Sequence, residues 1–156
     1  MPPTKTQSAR EKKRHKVFMA RSGQLYGAMK QRLSKHIHGK DSKGREDLPF
    51  TLEQLRHEIR NAIAWGECIY LGSMEPLTEK NFSIDHEVPV SRGGDFCLSN
   101  LVVCSQRGNY AKGNMASVEF RKLLLCLDGM APEAKVDVIG RLRAATASRH
   151  RIYAKR

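Results

Sequence analysis

Three short stretches decide how this chain folds. They are Phe82-Ser83-Ile84-Asp85-His86-Glu87-Val88-Pro89-Val90-Ser91-Arg92-Gly93-Gly94, then Ser99-Asn100-Leu101-Val102-Val103-Cys104, then Asn109-Tyr110-Ala111-Lys112-Gly113. From Phe82 to Val90 apolar and polar residues alternate, the period of a half-buried strand, and Pro89 ends it. Arg92-Gly93-Gly94-Asp95 reads as a loop. Leu101 to Cys104 is a short apolar run that fits a second strand, and Gly108 to Asn114 fits one or two helical turns. The expected order is strand, loop, strand, helix, which makes an α+β core.

Helices flank this core. In the stretch PFTLEQLRHEIRNAIAWG, Thr51 and Gln54 form a capping box, Phe50 and Leu55 stand at the staple positions, and Gly66 suits a left-handed stop. Leu52, Leu55, Ile59 and Ile63 make its buried face. Further upstream, Leu25, Met29, Leu33 and Ile37 recur every fourth residue with Tyr26 beside them, as an amphipathic helix requires. Lys30, Arg32 and Lys35 fall off that stripe and face solvent or a ligand. Residues 1–16 are polar and basic, and are expected to be disordered on their own. Downstream, Ser117 is expected to cap a helix with Phe120, Leu123, Leu124 and Leu127 inward and Gly129 as its stop. Pro132 suits the first turn of a last helix carrying Val136, Ile139 and Leu142.

The charge is uneven. The 156 residues carry 28 Lys and Arg against 16 Asp and Glu, a net of +12. Residues 1–47 hold 13 against 4, residues 48–128 hold 8 against 10, and residues 129–156 hold 7 against 2. The expected organisation is therefore a basic arm and amphipathic helix over 1–47, a near-neutral folded domain over 48–128, and a basic helix or tail over 129–156. Such flanks suit a phosphate backbone, and Lys12, Lys13 and Arg14 are candidate contacts. No stretch of 18 apolar residues is present, which excludes a helical membrane span. No apolar run follows the basic N-terminus, so no secretory signal is expected. Cys68, Cys97, Cys104 and Cys126 lack a disulfide-dense spacing, and a reducing, intracellular setting is expected.

The sequence resembles the ββα-metal (His-Me finger) core of HNH endonucleases. The carriers of that likeness are the Asp85-His86 pair, the Pro89-x-Ser91-x-Gly93-Gly94 loop, Asn100 before the second strand, and Asn109-x-x-Lys112-Gly113. Asn100 lies 14 residues and Asn109 23 residues after His86, spacings similar to the HNH domain of RNA-guided CRISPR nucleases. The resemblance implies a turn that lets both members of the pair work together, Asp85 holding a hard cation while His86 addresses water. It further implies that Asn109 is a second metal ligand and that Asn100 braces the loop. The chemistry asks for such groups: imidazole titrates near neutrality, and oxygen donors suit Mg²⁺ or Mn²⁺. Lys112 is a candidate phosphate contact, and Arg92 and Arg107 are expected to face DNA.

Many members carry paired C-x-x-C knuckles that hold zinc. Here Cys68 and Cys104 stand alone in those places, too few for a four-ligand site, so structural Zn²⁺ is not expected. His15, His36, His38, His57 and His150 are assigned no chemistry. The expectation is a metal-dependent endonuclease on double-stranded DNA, leaving 5′-phosphate and 3′-hydroxyl ends. A phage or mobile-element (homing-type) enzyme, monomer or homodimer, in the cytoplasm of a bacterial host fits best, and a restriction-type enzyme is possible. The alternatives are a non-catalytic DNA-binding or architectural protein on the same scaffold, and an RNA-directed nuclease.

Overall fold

The computed structural model describes residues 5–131, 133, 134 and 137. The helix expected after Pro132, with Val136, Ile139 and Leu142, lies outside the described residues, as does nearly all of the basic segment 129–156. Within the described residues the order is α1 (Lys5–His38), α2 (Leu52–Trp65), β1 (Glu67–Cys68), β2 (Gly72–Pro76), β3 (Phe82–His86), β4 (Leu101–Ser105), α3 (Gln106–Lys112) and α4 (Ser117–Asp128). β1 pairs with β2, and β3 pairs antiparallel with β4 in the register Phe82↔Ser105 to His86↔Leu101. The strand-loop-strand-helix unit is present: β3, the connecting loop, β4 and α3.

One difference concerns the N-terminal segment. Residues 5–16, expected to be disordered, continue α1 without a break. Lys, Arg, Gln and Glu are good helix formers, and extending a nucleated helix is far easier than starting one. The nucleus is the packed part: Phe18 and Met29 of α1 are buried in the same apolar cluster as Phe50, Leu55, Ile59, Phe82, Ile84 and Phe96. Arg21 Nε donates to Phe82 O at 2.7 Å, and Tyr26 OH donates to Phe50 O at 2.9 Å. Ile37, read as the end of the apolar stripe, is 56% exposed.

α2 follows its sequence signals. Thr51 Oγ1 accepts from Gln54 N, the Gln54 side chain accepts from Thr51 N, and Gly66 ends the helix at φ 85°. A second cluster of Cys68, Tyr70, Val102, Cys104 and Phe120 lies between the β1–β2 hairpin, β4 and α4. Full burial of a side chain such as Phe120 contributes about 1.5–3 kcal/mol. The N-cap of α4 is Ala116, not Ser117. Ser117 instead turns inward, only 2% exposed.

Candidate active site

β3 delivers Asp85 and His86 as neighbours. The β3–β4 ladder runs through both, Glu87 N donates to Asn100 O at 2.8 Å, and the chain bends only at Glu87 and Val88. The turn between them that the resemblance implies is absent, because strand pairing holds both residues extended. Their side chains have different neighbours in consequence. Asp85 meets Tyr70 and Lys112, while His86 packs edge-on against Phe96 with ring centroids 5.1 Å apart.

Asp85 is nearly buried, and its Oδ2 accepts from Tyr70 OH at 2.8 Å. Burial, reinforced by the Asp85 charge, pushes the Tyr70 phenol well above its ordinary range, so it stays protonated. That single proton goes to the carboxylate, so the 2.7 Å contact with Ser117 is donated by the serine. Lys112 closes the group. Its ammonium has no solvent exposure and lies 2.9 Å from the same Oδ2, too poorly aligned for a hydrogen bond. Contact between Lys112 and a phosphate therefore requires the side chain to leave Asp85.

Asn109 sits on α3, which Ser105 caps by accepting from Gly108 N at 2.9 Å. Its Nδ2 donates to Ser83 Oγ and to Ile84 O. A carbonyl only accepts, so this fixes the amide nitrogen inward. The Oδ1 atoms of Asp85 and Asn109 accept no hydrogen bond among the described residues. A carboxylate and a neutral amide oxygen, both open, fit a hard divalent cation that keeps most of its water. No group of three or more His, Cys, Asp or Glu suited to a metal occurs among the described residues. Cys68 and Cys104 are both buried free thiols.

His86 is 9% exposed, and its Nε2 is buried without a hydrogen-bond partner. Burial lowers its pKa; the Asp85 charge opposes this, while Arg32 and Lys112 add to it. The imidazole is therefore favoured in its neutral, proton-accepting form.

The loop from Glu87 to Asn100 holds that strand end in place. Asn100 Oδ1 accepts from Val88 N at 2.9 Å, and its Nδ2 donates to Val88 O and Asp95 O. Gly94 passes so close that a Cβ there would lie 1.8 Å from Val88 O.

The remaining candidates divide by engagement. Arg92 is held by both oxygens of Glu119, and Arg14 donates to Glu79 at 2.7 Å. Lys12, Lys13 and Arg107 are exposed. Tyr70, Ser117 and Phe96 complete the site without a sequence signal. Each is distant along the chain from the group it touches, and only tertiary packing brings them together.

The antiparallel β3–β4 pair followed by α3 is a ββα unit, consistent with a small HNH core. Residues 68–118, about a third of the chain, match the family model described as HNH endonuclease. The match suggests nuclease activity in general; HNH nucleases generally use divalent metal ions and act on DNA. No curated protein matches the chain. No described helix is long and apolar enough to cross a membrane.

Proposed function

We propose that this protein is a metal-dependent DNA endonuclease that hydrolyses phosphodiester bonds to 5′-phosphate and 3′-hydroxyl ends. The observation that carries the reading is the buried, unpartnered His86 Nε2 on the strand end next to Asp85. His86 accepts a proton from the water that attacks phosphorus, and Phe96 limits the ring's freedom. Asp85 and Asn109 would hold Mg²⁺ or Mn²⁺ through their open oxygens. The cation, when bound, supplies Lewis-acid stabilisation of the phosphate and of the leaving oxygen. Tyr70 and Lys112 orient Asp85 and balance its charge, and Asn100 sets the loop that follows His86. Small size and basic flanks support a phage or mobile-element enzyme of the homing type.

The test is plasmid nicking with and without Mg²⁺, beside an RNA substrate, for the wild type and His86→Ala. Mg²⁺-dependent nicking that drops by about 10²–10⁴ in His86→Ala, with DNA affinity kept, supports the reading. A His86→Ala protein retaining half the wild-type rate contradicts it. Cleavage of RNA alone points to the RNA-directed alternative, and binding without cleavage to the architectural one.

A further inference from the structure

α1 lies outside the segment that matches the HNH family, yet its last turns border the catalytic histidine. The link is Phe96: its ring is 5.1 Å from that of His86 and 6.1 Å from that of His36. Arg32 lies one helical turn before His36 and shares its face. Both side chains are exposed.

Several of the neighbouring cations are occupied. Lys112 is paired with Asp85, Arg92 with Glu119 and Arg121 with Glu87. Along α1, Arg14 is paired with Glu79, Lys30 with Asp47 and His38 with Glu46, and Arg21 donates to Phe82 O. Arg32 forms no ion pair or hydrogen bond among the described residues. An exposed guanidinium one turn before His36, on the helix end that reaches Phe96, with no internal carboxylate, is suited to grip a phosphate in a two-pronged fashion.

We infer that Arg32, with His36 one turn on, forms a phosphate clamp that binds the DNA strand next to the phosphodiester presented to His86. The inference rests on the DNA endonuclease reading and adds a substrate contact from α1. The nuclease core supplies the chemistry, and the preceding helix holds the strand in register with it.

The experiment measures binding of a duplex across a salt series in the His86→Ala background, so that nothing is cut, with Arg32→Ala, Arg32→Lys and Lys80→Ala added in turn. Lys80 is exposed in the turn two residues before β3, at the end away from His86, and serves as the charge-matched control. Removing one phosphate grip should flatten the slope of log K against log salt by about 0.9. It should weaken binding roughly tenfold at moderate salt. Arg32→Lys should keep the slope, and Lys80→Ala should change neither quantity. With His86 restored, Arg32→Ala should raise KM and leave kcat within about twofold, far less than the effect of removing a general base. Circular dichroism checks that each variant is folded.

An unchanged slope in folded Arg32→Ala, while the wild type binds and cuts DNA, overturns the clamp and leaves the endonuclease reading intact. An equal weakening in Lys80→Ala also overturns it, since the effect would then be one of net charge. Failure of the wild type to bind DNA overturns both.

Discussion

A buried ammonium is expensive to leave alone, and Lys112 has one partner. Removing Asp85 strands that charge, so Asp85→Ala tests folding as well as metal binding. Breaking a buried pair from one side costs about 3–5 kcal/mol. Asp85→Ala should therefore lower the urea midpoint strongly, and adding Lys112→Met should recover much of the deficit. Activity should not return in the double variant. Tyr70→Phe is a gentler probe of the same group. It removes one hydrogen bond to Asp85 and leaves the Ser117 hydroxyl without its acceptor, at about 1–3 kcal/mol. The measurement is denaturant unfolding paired with a Mg²⁺ titration of cleavage. A higher Mg²⁺ requirement is expected, because the carboxylate is less firmly oriented. An unchanged requirement would limit Tyr70 to a packing role.

Among the elements, the loop between β3 and β4 is the most tightly specified. Gly94→Ala would push a methyl group into Val88 O, a backbone atom that can move only if the Asn100 hydrogen bonds break. The expected result is a destabilised protein with cleavage reduced at every Mg²⁺ concentration. The link between this loop and α4 is electrostatic. Arg92 hydrogen bonds hold the Glu119 carboxyl at about 2, below its ordinary 4.5, with help from the Ala116 N–H that it caps. A carboxylate with a depressed folded pKa stabilises above its unfolded value, and that contribution fades as pH falls through the folded one. Glu119→Gln should therefore be less stable than wild type from pH 7 down to about 4.5, with the gap closing toward pH 2. Unfolding midpoints across that range test the sign.

These elements also show what could be read from residues alone. The Thr51 capping box and the Gly93-Gly94 loop are local signals, and hydrogen bonds within a few residues realise them, whereas the expected alternation breaks at Asp85 and His86, both buried at the end of β3. Partners were illegible where they come from another element. Nothing near Tyr70 points to Asp85, and nothing near His36 points to Phe96. Ser117 looked like a helix cap because serine at that position usually is one, yet its hydroxyl is used by a buried phenol. Lys112 reads as a phosphate contact, and its full burial beside Asp85 follows from α3 packing on β3.

For the whole molecule, the basic flank and the nuclease core meet through α1. Phe18 and Met29 belong to the core, so deleting residues 1–47 would unfold more than an arm. Deleting residues 1–16 spares that packing and removes six Lys and Arg with one Glu. Binding across a salt series should show a flatter slope by several units on every sequence, at about 0.9 for each phosphate no longer neutralised. The cleavage rate at saturating DNA should fall much less. A folded deletion with an unchanged slope would show that this segment does not touch phosphate.

The continuity of α1 has a metrical consequence. An uninterrupted helix rises about 1.5 Å per residue, so Lys12 and Arg32 stand about 30 Å apart along it. At about 3.4 Å per base pair that span corresponds to about nine base pairs of duplex. A flexible arm would sample many spacings between its distal grip and the cut. A rod behaves as a ruler, so protection of DNA should extend a fixed distance to one side of the nick and little to the other.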